Sequence, residues 1–213
     1  MANAENEMNE NQDELVNPFM TPVKIIEPKH RLPDYTFENL PENLKQTLLA
    51  HGWKELMPVQ RKTIPYMLAA RDMLNQSKTG SGKTGAFVLP LLQVIEPSHP
   101  YPQALILVPT RELALQVQNE IELLSKGTGI HSAAIFGGVP YEPQVATLKS
   151  ELHIIVATPG RLIDHAKRGN VDFLSVRDLI LDEADEMLSM GFYPDMQRIR
   201  QMLPKEIACT LFS

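Results

Sequence analysis

The sequence predicts an α/β fold, an open parallel sheet with helices packed on both faces. Three observations carry that expectation. Short, almost continuously apolar runs recur along the chain, as strands buried on both faces of a parallel sheet require. Stretches of helical periodicity separate them, and parallel strands need such crossovers. A glycine-rich loop, "SKTGSGKT" at 77–84, stands between one apolar run and a helix, where open parallel sheets hold their ligands.

Strands are expected at "DMLNQ" (72–76), "ALILV" (104–108), "SAAIF" (132–136), "HIIVA" (153–157), "DLIL" (178–181) and "ACTLF" (208–212). In "RELALQVQNEIELL" (111–124), Leu113, Val117, Ile121 and Leu124 recur at helical spacing and leave the charges opposite. "YPDMQRIRQML" (193–203) opens with Pro194 and Asp195, good helix starters, and stops before Pro204. Functional residues are therefore expected in the loops just after the strands.

Composition sets the outer limits. At 213 residues, with 43% apolar and 22% charged, the chain can bury a substantial core. Cys209 is the single cysteine, which excludes an intrachain disulfide framework and fits a reducing, cytoplasmic setting. No stretch of 18 apolar residues suggests a membrane span, and the first residues lack the basic and apolar regions of a secretory signal. Residues 1–30, rich in Asn and Glu and then Pro, read as a disordered acidic tail. Within it, "NPFMTPV" reads as linker, with a partner-binding motif the alternative. Seven acids and three bases fall in residues 1–34, so most of the net charge of −6 belongs to that end. A locally basic surface elsewhere remains compatible with nucleic-acid binding.

The loop at 77–84 has the chemistry of a phosphate cradle. Gly80 and Gly82 allow successive N–H groups to point into one concavity, and the helix opening at Lys83 adds its positive end. Lys83 can reach the β- and γ-phosphates, and the Thr84 hydroxyl can ligate Mg²⁺. Ser77 stands where the general pattern has glycine, with Thr79 and Ser81 completing the loop. Such a loop needs a carboxylate for the metal and a group to orient the attacking water. "DLILDEADEML" (178–188) delivers Asp182 and Glu183 to the end of an apolar strand, suited to those two roles.

With "DEAD" at 182–185 and "SKTGSGKT" at 77–84, the chain resembles the DEAD-box RNA helicases. "PTRELALQ" (109–116) is similar to that family's motif Ia, Gly137-Gly138 to its double glycine, and "TPGR" (158–161) to its motif Ib, all in the family's order. "GWKELMPVQ" (52–60) resembles the adenine-recognising Q motif, about 35–63, although Trp53, Leu56 and Met57 depart from the family's usual Phe, Pro and Thr. The resemblance implies an amino-terminal RecA-like domain over 31–213 that binds ATP and Mg²⁺. It implies that Lys83 and Thr84 hold phosphate and metal, Asp182 holds Mg²⁺ through water, and Glu183 orients the water. Gln60 would read adenine, its amide matching the amino group and N7, and Phe37 would stack on it. Asp185 would link to the following motif.

A single strand of RNA is the implied partner. Pro109, Thr110 and Arg111, then Gly137 and Gly138, then Thr158, Gly160 and Arg161 can meet backbone phosphates at strand-to-helix turns. Such contacts position a strand without reading bases. "ACTLFS" resembles the approach to motif III, with Ser213 its first residue, expected to fray and to face Asp185. On that reading the chain stops inside a coupling motif and lacks the second RecA-like domain. It would then bind nucleotide but not unwind alone. A DNA helicase or translocase, or a nucleotide-gated binding module without turnover, are the competing classes.

Overall fold

The computed structural model describes residues 30–78 and 80–213. The acidic tail, with its "NPFMTPV" cluster, and Thr79 therefore lie outside the described residues. Six strands form one sheet: β1 (Met73–Asn75), β2 (Ala104–Leu107), β3 (Ser132–Ile135), β4 (Ile154–Ala157), β5 (Asp178–Leu181) and β6 (Ala208–Phe212). Each lies within its expected apolar run. The order across the sheet is β1-β6-β5-β2-β4-β3, and every pairing is parallel. β2 and β4 are buried at all four positions, whereas the edge strand β1 leaves Leu74 73% exposed. At the other edge, Gln118 Oε1 accepts the Ala134 N–H of β3 (3.1 Å), so a side chain occupies part of the open ladder.

Eight helices cover the sheet among the described residues: α1 (Glu42–Ala50), α2 (Pro58–Leu68), α3 (Lys83–Val94), α4 (Arg111–Leu124), α5 (Tyr141–Leu148), α6 (Pro159–Lys167), α7 (Ala184–Ser189) and α8 (Tyr193–Met202). Alternation along β2 divides the core. Ala104, Ile106 and Val108 pack with Leu48, Ile64, Phe87 and Val117 from α1–α4, while Leu105 and Leu107 pack with Leu148, Leu162, Met187 and Ile199 from α5–α8. Both faces are thus covered. The buried stripe of α4 is Ala114, Val117, Ile121 and Leu124. Leu113, expected there, is only partly buried, because 114 rather than 113 continues the seven-residue step through 121. Phe87 and Phe212 bring their rings to 5.3 Å, joining α3 to β6. Truncating either to alanine costs about 3–5 kcal/mol.

Proline shapes two of these helices. Pro65 lies inside α2 and has no N–H to offer the carbonyl four residues back. That carbonyl, of Arg61, instead accepts the Tyr35 N–H (2.8 Å). The helix defect becomes the anchor for the segment preceding α1. Ser213 does not fray as expected, since its N–H donates to Asn75 O and its own O accepts from Ser77 N, each at 3.0 Å. The β1–β6 ladder therefore runs one residue beyond β6. No helix among the described residues is long and apolar enough to cross a membrane.

Candidate functional site

The phosphate loop follows β1 and opens α3. Gly80 (φ +79°) and Gly82 (φ +87°) both occupy the left-handed region, which an L side chain resists. Ser81 N–H closes a turn on Lys78 O (3.2 Å). Among the described residues, Ser77 Oγ and Ser81 Oγ are buried without a hydrogen-bond partner. Two orphaned hydroxyls beside a helix N-terminus suit a ligand rich in acceptor oxygens. Lys83 is the first residue of α3, with Thr84 half-buried next to it.

Gln60 lies against this loop and is fully buried. Its Oε1 accepts the Met57 N–H (2.8 Å), and its Nε2 donates to Gly82 O (3.1 Å). The first bond caps α2 in the manner of a glutamine reaching back to the helix start. A Cβ at Gly82 would meet Met57 Sδ at 2.6 Å and Gln60 Nε2 at 2.8 Å. At Gly85 it would meet the same Nε2 at 2.7 Å and Trp53 Cη2 at 2.8 Å. Two glycines of the phosphate-binding segment thus make room for Trp53, Met57 and Gln60. Phe37 sits in a 3-10 turn (Phe37–Asn39), half-buried against the α1–α4 core.

β5 delivers the acids. Asp182 is 3% exposed, and burial pushes its carboxyl up to about 6, opposed by the Lys83 charge and reinforced by Glu183. Its Oδ1 accepts the Glu183 N–H (3.1 Å), and its own N–H donates to Leu107 O at the end of β2 (3.0 Å). Glu183 has φ +51° and ψ +50°, a strained setting for a glutamate, costing on the order of 1–3 kcal/mol. That strain turns the chain from β5 into α7. Asp185 is exposed, while the backbone bonds of Ser213 run to Asn75 in β1 and to Ser77 in the phosphate loop.

The other half of the edge holds the remaining loops. Thr110 caps α4, its Oγ1 accepting from Leu113 N (3.2 Å), and Pro109 is buried behind it. Arg111 is exposed, with its guanidinium carbon 5.2 Å from the Phe136 ring centre. Arg161 donates to Val139 O (3.1 Å). The arginines after β2 and β4 therefore both grip the turn after β3. Within that turn Gly138 has φ +79°, and a Cβ at Gly137, Gly138 or Gly160 would meet nothing within 4 Å. Neither packing nor a positive φ explains glycine at 137 or 160. Thr158 donates its backbone N–H to Ile135 O (3.0 Å), tying β4 to the same turn.

Three residues not singled out from the sequence matter here. Gln144 is 7% exposed, donates to Phe136 O (2.9 Å), and accepts from Arg161 (3.4 Å). Fully buried His165 stacks on Tyr141 at 4.2 Å and lies 3.2 Å from Gln144 Oε1. Burial, with Arg161 next, lowers its pKa. Glu120 on α4 has its carboxyl pushed up by burial and by the Asp182 charge. The only signal for Gln144 was a polar residue one turn before Leu148 on an otherwise core-facing helix side.

The sheet order gathers β1, β6 and β5, with the phosphate loop and the acids, on one half of the carboxyl edge. β2, β4 and β3, with the three remaining loops, fill the other half. Comparison with known proteins bears on the fold and the family. The family model for DEAD/DEAH box helicases matches residues 57–213. The chain is 42% identical over 175 residues to the ATP-dependent RNA helicase DeaD of Haemophilus influenzae, covering 82% of this chain and 28% of that protein. It resembles the crystal structure of a DEAD box protein from the hyperthermophile Methanococcus jannaschii, with a TM-score of 0.80 and 39% identity, over 84% of this chain and 50% of that one. The chain thus spans half or less of the length of these relatives. Its parallel six-stranded sheet is of the RecA-like kind, and the chain belongs to the DEAD/DEAH box helicase family.

Proposed function

We propose that this chain is the amino-terminal, ATP-binding RecA-like domain of a cytoplasmic ATP-dependent RNA helicase. The observation carrying this reading is the division of the carboxyl edge into a phosphate-and-carboxylate half and a backbone-gripping half. The orphaned Ser77 and Ser81 hydroxyls, the left-handed glycines and the Lys83–Asp182 pairing of charges fit a nucleotide with Mg²⁺. When bound, ATP·Mg²⁺ supplies the phosphoryl group whose transfer to water drives release of RNA.

The chain's own residues would divide the work. Lys83 and the loop N–H groups, with Thr79 among the loop residues, bind phosphate oxygens. Thr84 and Asp182 hold the metal, the latter through water. Glu183, fixed by its strained backbone, orients and polarises the attacking water. Gln60 has one further N–H and one further lone pair beyond its bonds to Gly82 and Met57, the pair an adenine edge takes. Phe37 is proposed as the stacking surface on family resemblance alone. Asp185 and Ser213 would couple the acids to the following motif.

Pro109, Thr110 and Arg111, Gly137 and Gly138, and Thr158, Gly160 and Arg161 would bind the RNA backbone without regard to sequence. Open space at Gly137 and Gly160 supports close approach of an external chain. A carboxyl-terminal RecA-like domain would close on this one and supply the arginine finger.

Calorimetric titration with ATP·Mg²⁺ and GTP·Mg²⁺, alone and with RNA or DNA of one sequence, tests the reading. ATP and RNA are expected to win, and Lys83→Ala to abolish nucleotide binding. Equal affinity for both nucleotides would overturn the adenine role of Gln60, and DNA bound as tightly as RNA would overturn the RNA reading.

A further inference from the structure

At the amino edge of the sheet, opposite the nucleotide site, a cavity of about 150 Å³ opens between α2, α3 and β5. Met67, Leu68, Val94 and Ile95 form its apolar walls, and Asp178, the first residue of β5, contributes a carboxylate. Among the described residues nothing donates a hydrogen bond to that carboxylate. The adjacent Arg177 guanidinium turns instead to Glu96 (3.5 Å). Gln103 is committed too, its Nε2 donating to Glu96 O and His99 O and its Oε1 accepting from Glu96 N. Burial pushes the Asp178 carboxyl up to about 6, with Arg177 opposing. A second cavity of about 290 Å³ shares Gln103 and Arg177 with the first. Its lining includes Leu174 and Tyr101, respectively 82% and 60% exposed.

We propose that this cavity docks a partner protein through one inserted lysine, its stem against Met67, Leu68, Val94 and Ile95 and its ammonium on Asp178. Size favours a single side chain. A dry cavity of about 150 Å³ holds a molecule the size of benzene, whereas pockets for organic ligands begin near roughly 300 Å³. Chemistry favours lysine: Arg177, which also lines the cavity, is turned to Glu96, so the apolar side chains and the Asp178 carboxylate are left to match an apolar stem with one point charge. Arginine would bring a broader, planar head suited to a bidentate partner. Leu174 and Tyr101, in the adjoining second cavity, give an apolar residue next to the lysine a footing, which a free amine would not use.

The test titrates capped Leu-Lys-Leu, capped Leu-norleucine-Leu and n-butylammonium into the whole chain and follows backbone amide shifts. The lysine peptide is expected to shift Met67, Ile95, Asp178 and Leu174 saturably. n-Butylammonium should shift the first three at least tenfold more weakly, and the norleucine peptide none of them. Asp178→Asn should weaken the lysine peptide at least tenfold while ATP affinity stays unchanged and the melting temperature at pH 7.5 does not fall, since loss of a buried carboxylate favours the fold there. Docking is overturned if the lysine peptide gives no saturable shift. It is equally overturned if the norleucine peptide or the Asn variant binds as well, or if n-butylammonium binds as tightly as the peptide. ATP and RNA titrations are independent of this edge, so the helicase reading stands or falls separately.

Discussion

At Asp182 two demands oppose each other: holding Mg²⁺ calls for an ionised carboxylate, and a side chain 3% exposed favours a neutral one. Burial dominates and lifts the carboxyl to about 6. A group with a raised folded pKa holds its proton more tightly folded than unfolded. Its ionisation therefore costs stability, by nothing below about pH 4 and increasingly up to about pH 6. Asp182→Asn is expected to raise stability at pH 7.5 by on the order of 1–3 kcal/mol, seen as a higher melting temperature, and to leave it unchanged near pH 4. The same variant should lose Mg²⁺-dependent nucleotide binding. Melting curves across that pH range and a calorimetric titration check both halves. Lys83, Gly80 and Gly82 were legible in the sequence because their spacing dictates a backbone shape. The bond from Gln60 to Gly82 was not, since it spans 22 positions through a buried amide.

Elements repeat the contrast. Strands buried on both faces leave an unbroken apolar run, so β2 and β4 could be read directly. Helices α2 and α3 carry Pro65 and Pro90 in their interiors, which obscures a helical pattern. The clamp of α5 and α6 around residues 136–139 has no local signature, because Gln144, His165 and Arg161 meet only in space. This pair of helices is expected to be acid-sensitive. His165 has its pKa lowered by burial and by Arg161, so its contribution is complete above pH 6.5 and fades as pH falls through that value and below. His165→Gln keeps a donor for Gln144 without a titrating ring. The variant should lose less melting temperature than the parent between pH 7 and pH 5. An equal loss in both would remove His165 as the cause.

For the molecule as a whole, a net charge of −6 says little about its partner, because the candidate contacts are a row of backbone turns and two arginines on one edge. This chain alone is expected to bind ATP and RNA yet show no strand separation and little RNA-stimulated phosphate release. An arginine finger from a second domain is worth about 10³–10⁵ in rate. Robust RNA-dependent turnover by these 213 residues would refute that expectation. The RecA-like layout was legible from strand rhythm and loop motifs, but the strand order was not, since no single loop encodes which strands lie side by side.

That order places Asp182 against β2, and its N–H on Leu107 O, two residues before Pro109. The halves of the edge are therefore joined by a backbone hydrogen bond rather than by a chain of side chains. In the proposed helicase, occupancy of one half would bias the other through that shared strand pair. Linkage then runs both ways: whatever factor ATP adds to RNA affinity, RNA must add to ATP affinity. A pair of equilibrium titrations would read one number from either side.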